Sequence, residues 1–303
     1  MILFVDENDE NKRLDKFLSE INPDLSRSKI QSLIKSEFVK VNETVKKVSY
    51  LLKENDRIEL IPPQQADLKI QPENIELEII YEDKNMAVVN KPSGMLTHPT
   101  TLERENTLVN ALLYKFGDNL SDINGEFRPG ILHRLDRNTS GLLMIAKNNK
   151  AHEFLAKQIK EHYLTKKYRA IVKGVVKDDE FEINRPIGRN PNQPHKMSVR
   201  EDGKESLTKV KVIERFKDAT YIELTLITGR THQIRVHMSN INHPVYNDTL
   251  YGAGQGKVKT EEQVLQSYYL SFTKPFGDEI IELEIEPDAK IYKVLNYLKT
   301  KGK

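Results

Sequence analysis

Residues 133–145 run His133-Arg134-Leu135-Asp136-Arg137-Asn138-Thr139-Ser140-Gly141-Leu142-Leu143-Met144-Ile145. A polar loop passes at Gly141 into an apolar run too short for a helix of ordinary length, which is the pattern of a buried strand. Pro129-Gly130 marks a turn just upstream. The loop carries a lone carboxylate between two arginines. Such neighbours favour the ionised form of Asp136, which suits a nucleophile or an electrostatic anchor better than a general acid. Loops held on rigid elements are common places for chemistry. A carboxylate that merely caps or pairs within the loop explains residues 133–141 about as well.

Outward from this stretch, strand patterns recur at Met86–Asn90, Tyr168–Lys173, Leu207–Phe216, Tyr221–Ile227, Tyr268–Phe272 and Glu279–Ile285. Ile75-Glu76-Leu77-Glu78-Ile79 alternates as a half-buried strand should. Helical periodicity appears at 107–116, 151–160, 231–241 and 291–298. Strands and helices do not alternate regularly. The fold class is therefore α+β, with a mixed, mainly antiparallel sheet in the larger domain rather than a doubly wound parallel one. Near the N-terminus Leu14, Phe17, Leu18 and Ile21 share one helical face, and Ile30, Leu33 and Ile34 repeat the pattern after Ser26, a candidate N-cap. Phe38–Val41 and Arg57–Ile61 read as short strands, with Asn42-Glu43-Thr44 as a turn. The expected organisation is a small α+β domain over 1–61, a linker over 62–74 containing three prolines and three glutamines, and a large domain over 75–303.

The chain has 303 residues, 47 Lys+Arg against 45 Asp+Glu, and no cysteine. The last fact excludes a disulfide framework, a thiolate nucleophile and a cysteine-ligated metal. The acidic start has no secretory pattern and no apolar run could span a bilayer, so a cytoplasmic protein with no membrane partner is expected. Net charge says little, but its distribution does. Residues 11–53 carry ten Lys/Arg and five Asp/Glu, and residues 128–177 carry twelve and three. Arg13, Lys16, Arg27, Lys29 and Lys35 avoid the apolar stripes and should point outward. Two segregated basic surfaces suit a polyanion, although Lys-rich helices are often no more than solvated faces.

Four ordered motifs give the chain a family resemblance. His133–Leu143 resembles the signature of the RluA-type pseudouridine synthases, the RNA uridine isomerases. Asn90-Lys91-Pro92-Ser93-Gly94 with His98-Pro99, then Lys166-Lys167-Tyr168-Arg169-Ala170, then Thr228-Gly229-Arg230-Thr231-His232-Gln233-Ile234-Arg235-Val236-His237 resemble its other motifs in the same order. The N-terminal module resembles the S4 RNA-binding domain. That module and Ile123-Asn124-Gly125 look most like the RluD-type large-subunit rRNA enzymes. Leu265-Gln266-Ser267 departs from the Leu-His-Ala of many relatives. The resemblance implies a pseudouridine synthase fold and an RNA pseudouridine synthase, most readily one acting on 23S rRNA or a ribosome assembly intermediate, without cofactor or metal. It implies Asp136, Tyr168 and Arg235 as catalytic residues and Arg134, Arg230, Thr231, His232, Lys91 and His133 as RNA contacts. Arg134 matches the arginine that fills the gap left by a flipped base, with a simple phosphate contact as the alternative role. Whether Asp136 attacks covalently or removes the C2′ proton stays open.

His-Arg-Leu-Asp is not the His-Arg-Asp-Leu of a kinase, and no Gly-rich loop or Asp-Phe-Gly accompanies it. His232 and His237, five apart, would point about 140° from each other on a helix, which does not make a metal pair. A non-catalytic S4-type RNA-binding factor shares the basic surfaces. The joint presence of Asp136, Tyr168 and Arg235 favours the enzyme, because a bare RNA grip gains nothing from a carboxylate where phosphates approach.

Overall fold

The computed structural model describes the chain except residues 1, 8, 22–26, 61–69, 101–102, 194–195, 253, 255, 261 and 302–303. The chain divides into two compact units, Met1–Lys69 and Ile70–Lys303. In the first, β1 (Ile2–Phe4) precedes α1 (Leu14–Ile21), α2 (Arg27–Lys35), β2 (Val39–Val41), β3 (Thr44–Val45) and β4 (Arg57–Leu60). The strands form an antiparallel sheet in the order β1-β4-β2-β3. Leu14, Phe17, Leu18, Ile30, Leu33 and Ile34 pack with Val39, Val41, Leu52 and Ile58 as one core. Ile21, the last residue of α1, is exposed. Buried Asp15 accepts from Arg13 and Gln31, tying the two helices. Arg13, Lys16 and Lys35 are exposed as expected. Ser26 and the side chains of Arg27 and Lys29 lie outside the described residues. Thr44, expected in a turn, opens β3, and Asn42-Glu43 alone make the turn with both residues at positive φ. β1 comes from the short apolar run at the N-terminus, which has few strand signals of its own and is completed by pairing with β4.

The second unit contains β5 (Glu78–Glu82), β6 (Met86–Lys91), α3 (Leu108–Phe116), β7 (Ser140–Ala146), α4 (Asn149–Lys160), β8 (Thr165–Lys173), β9 (Glu180–Asn184), β10 (Ile187–Arg189), β11 (Met197–Val199), β12 (Leu207–Arg215), β13 (Ala219–Leu226), α5 (Gln233–Asn240), β14 (Leu265–Thr273), β15 (Ile280–Glu284) and α6 (Ala289–Lys301). Nine strands make one sheet, ordered β5-β6-β7-β14-β8-β13-β12-β9 with β15 also on β14. Only β7 and β14 run parallel, so the sheet is mixed and mainly antiparallel. β10 and β11 form a separate ribbon. Thr107 and Asn110 close a capping box on α3, and Asn148 caps α4 through the Ala151 amide.

Three expectations shift. The strand expected over 75–79 begins at Glu78. Its partner register, Glu78 against Asn90, runs out at Lys91-Pro92, where proline has no amide to donate. The second unit starts before residue 75: Ile70 packs on its core, and Glu73 donates its amide to Asn110 and accepts from Asn106. The rest of the expected linker, 62–69, lies outside the described residues. α5 begins at Gln233 rather than 231, because His232 is left-handed at φ 56°.

The β7–β14 contact positions the polar loop. Gly141 pairs with Ser267, and a Cβ on Gly141 would stand 1.9 Å from the Ser267 carbonyl oxygen. Its φ of +118° is also unfavourable to any side chain. The β14 pairing covers Ser140 and Gly141, and beyond it residues 130–133 line that side of β7: Ala146 donates to Gly130, Ile131 bridges Ile145, and Met144 donates to the His133 ring. We therefore expect Gly141→Ala to cost the second unit about 2–4 kcal/mol, from overpacking and backbone strain together. A thermal melt that overlays the parent would contradict this close approach.

Candidate active site

The loop of residues 133–139 is held by backbone contacts from the Lys91–Thr97 segment. Gly94 donates to the Arg137 carbonyl, Ser93 to that of Asn138, and Thr97 to that of Leu135. Lys91 lies beneath. Its Nζ donates to the carbonyls of Pro92, Met95 and Arg137 at 2.8–3.0 Å. Burial, then the charge of Lys290, pulls its pKa down to about 7, while three carbonyl acceptors favour the ammonium. Lys91, expected among the RNA contacts, is thus fully buried and engaged by the loop it supports.

The other eight expected residues line one cavity of about 470 Å³. Asp136, on the loop, is about 17% exposed in its side chain. Its partner is neither flanking arginine. Arg137 binds Glu103, and Arg134 is exposed at the cavity with no hydrogen bond or ion pair among the described residues. Arg235, 99 residues further on, donates from Nη1 to Asp136 Oδ2 at 3.1 Å. Its Nε and Nη2 grip Asp248 at 2.7 and 3.0 Å. Burial alone would lower the pKa of Arg235, but the hydrogen bonds and charges of Asp248 and Asp136 outweigh it and raise the value. Tyr251 stands 5.0 Å from the guanidinium, measured to the ring centroid. Its hydroxyl accepts from the Met197 amide and lies 2.8 Å from His232 Nδ1, while His232 Nε2 is 3.8 Å from Asp136.

Tyr168 enters from β8, almost fully buried. Burial raises its hydroxyl above the ordinary tyrosine range; a hydrogen bond with Ser267 works against this, and the charge of Asp136 adds to it. His133 Nε2 accepts the Met144 amide at 3.1 Å, so the ring's proton sits on Nδ1. Burial and then nearby Lys166 pull its pKa down to about 3. This ring braces the loop against β7 with the nitrogen a ligand would need. Arg230 and Thr231 are exposed at the cavity, and Arg230 Nε donates to the Glu205 carbonyl. The turn carrying them is fixed by Gln233. Its Oε1 accepts from Thr228 and the Arg230 amide, and its Nε2 donates to the Leu207 carbonyl and Thr208.

Asp248, Tyr251 and Gln233 were not legible as site residues. Asp248 sits in Asn247-Asp248-Thr249-Leu250-Tyr251-Gly252, a stretch that reads only as a turn, and it accepts the Leu250 and Tyr251 amides there. Among the described residues no cluster of three His, Asp or Glu could hold a metal, and no helix is long and apolar enough to cross a membrane.

Known proteins that share this sequence pattern and fold form a class of RNA-modifying enzymes. Residues 85–240 match the RNA pseudouridylate synthase family and residues 12–58 the S4 domain. An uncharacterized RNA pseudouridine synthase of Aquifex aeolicus is 44% identical over 95% of this chain and 94% of its own. The ribosomal large subunit pseudouridine synthase D of Zymomonas mobilis is 37% identical over 90% of each. The solved human RNA pseudouridylate synthase domain containing 1 superposes with a TM-score of 0.56 at 26% identity, covering 75% of this chain and 96% of that one. The chain belongs to the RNA pseudouridine synthase family.

Two outcomes follow from this geometry. Asp248→Asn keeps the shape but removes one charge from a buried cluster, so it should cost about 3 kcal/mol in a denaturant melt. A loss under 1 kcal/mol would mean Arg235 does not depend on it. For His133 the folded pKa, about 3, lies below the ordinary 6.5. Between those values only the unfolded chain binds the proton, so this contribution is complete above pH 6.5 and is lost as pH falls towards 3. His98, pulled down to about 4 by burial and then by Arg134 and Arg128, acts in the same direction. Melting temperature should fall from pH 7 to pH 4.5, and His133→Gln should decline less steeply than the parent. Parallel curves would refute the assignment.

Proposed function

We propose that this enzyme converts uridines of large-subunit rRNA to pseudouridine by taking the target base out of its stack into the Asp136 cavity. One observation carries the reading: Asp136, Tyr168 and Arg235, from a loop, a strand and a helix far apart in sequence, line a single cavity with Asp136 ion-paired. Its volume falls within the ~300–1,000 Å³ of small-molecule sites. A base paired in a helix cannot enter such a site, and extrusion costs a few kcal/mol. Arg134, exposed at the cavity and without a partner among the described residues, suits the vacated gap, since a planar guanidinium can stack as a base does.

In the proposed reaction the N1–C1′ bond breaks, the uracil rotates, and C1′ is rejoined to C5. Asp136 acts on the nucleoside. Arg235 aims it, because two of its three hydrogen bonds are anchored on buried Asp248 and leave one fixed direction for the third. Tyr168 packs against the base, and its strongly raised pKa keeps its proton in place until a base approaches. Arg230, Thr231 and His232 are RNA contacts or braces at the entrance. The S4 unit serves as a second, salt-sensitive grip. The rRNA assignment rests on the relatives named for the large subunit and on that domain, and an enzyme acting on such RNA would work in the cytoplasm.

Pseudouridine mapping of rRNA from cells with and without the gene should reveal sites that return with the parent protein. Asp136→Asn should restore none and should lower the single-turnover rate in vitro by at least ~10³. Its RNA affinity should hold or improve, because a negative charge is removed. Full restoration by the asparagine variant would reject the mechanism.

A further inference from the structure

Strand β8 separates its cations by face. Lys167 pairs with Glu223 at 3.3 Å and lies over the Tyr269 ring, and Arg169 donates to the Ile285 carbonyl and pairs with Glu284. Lys166 shares the other face with Tyr168, as residues two apart on a strand do, and both line the cavity. Lys166 is only 7% exposed. Its Nζ lies beside the Thr228–Arg230 turn, 3.5 Å from where a Cβ on Gly229 would sit. Among the described residues it has no hydrogen bond, ion pair or carboxylate neighbour, and burial lowers its pKa with nothing to offset it. Asp136, the nearest obvious counterion in the cavity, is taken by Arg235. Burial disfavours the charged form of such a lysine, and a ligand that brings negative charge into the cavity would favour the ammonium there.

The depth of Lys166 identifies that charge. Arg134 and Arg230 are exposed at the cavity, where a polynucleotide backbone would pass, whereas a group as buried as Lys166 is reached by what enters fully, the base. We propose that Lys166 is a catalytic residue that stabilises the departing uracil by donating a hydrogen bond to one of its carbonyl oxygens. When the N1–C1′ bond breaks, the electron pair stays on the base and spreads over N1, O2 and O4. The ammonium meets this charge and keeps its own protons. When C5 bonds to C1′ the charge is relieved, C5 loses its hydrogen and N1 gains one, so the product is an isomer and the lysine is unchanged. A preformed charge in a water-poor site is effective because it need not reorganise during the step. The inference rests on reading the cavity as a uridine site.

The test uses the full chain and an rRNA transcript containing the uridine that the wild type modifies. Lys166→Met should lower the single-turnover rate ~100-fold or more. RNA affinity and its salt dependence should stay within twofold, and the melting temperature should rise because an unpaired buried charge is gone. Lys166→Gln, polar and similar in length, gives the same reading should the methionine variant not fold. The second measurement places 5-fluorouridine at the target, whose base bears negative charge more readily, and follows loss of the intact nucleoside after nuclease digestion. The ratio of wild-type to variant rates should shrink at least ~10-fold on that RNA. A wild-type rate, a lowered melting temperature, a salt slope reduced by one phosphate contact, or equal ratios on the two RNAs would each overturn the role. A wild type that modifies no uridine would instead overturn the reading of the cavity itself.

Discussion

Arg235 is buried between two carboxylates, and the site depends on that arrangement. A guanidinium taken out of water is costly, and so is each carboxylate brought to it. The cost is met by geometry. Asp248 takes the planar fork side-on, in the bidentate way that suits arginine, and two backbone amides of its own turn hold its Oδ1. The remaining Nη1 then has one direction left, towards Asp136. Asp248 is 1% exposed and Asp136 is not fully buried, so one end of the cluster is sealed in the protein and the other opens to the cavity. Lysine could keep the charge but could not bind two carboxylates with this planar fork.

Asp136 is equally constrained from behind. Most hydrogen bonds from the Lys91–Thr97 segment go to carbonyls of the 133–139 loop, so they fix its path without engaging its side chains. Lys290 adds a further donor to the Asn138 carbonyl. Gly141 then lets β14 approach so closely that Ser267 lies between the loop's exit and Tyr168 on β8. Asp136 and Tyr168, from a loop and a strand, are thereby referred to one rigid sheet, which limits the error in their relative position.

The charges around the cavity are sorted by depth. His133 and His98 are held neutral by burial near cations. Arg134, Lys160 and Arg230, exposed at the cavity, are free to meet phosphates without a large desolvation cost. Such an arrangement draws a polyanion to the entrance while keeping the interior positive at few points.

Much of this was written in the sequence. The 3.6 and 2.0 periodicities located the principal helices and strands of both units, because those patterns depend on local geometry and on burial of one face. The motif around Asp136 and its three companions were visible because each is a contiguous run that resembles one of a known family, in the same order. Short strands such as β1, β10 and β11 were not visible, since three residues carry little periodic signal and exist only through a partner. The two arginines flanking Asp136 were natural candidates for its partner in one dimension. In space one is bound to Glu103, the other is exposed and has no partner among the described residues, and the ion pair is made by Arg235. Asp248 had no signal beyond its turn, and Lys91 and Lys166 look alike as basic motif residues. The sequence by itself determined which elements form and which residue types are available to them. The tertiary structure decided which lysine is surrounded by carbonyls, which lines the cavity beside Tyr168, and which carboxylate holds the arginine, because burial and pairing depend on distances between segments that no local pattern encodes.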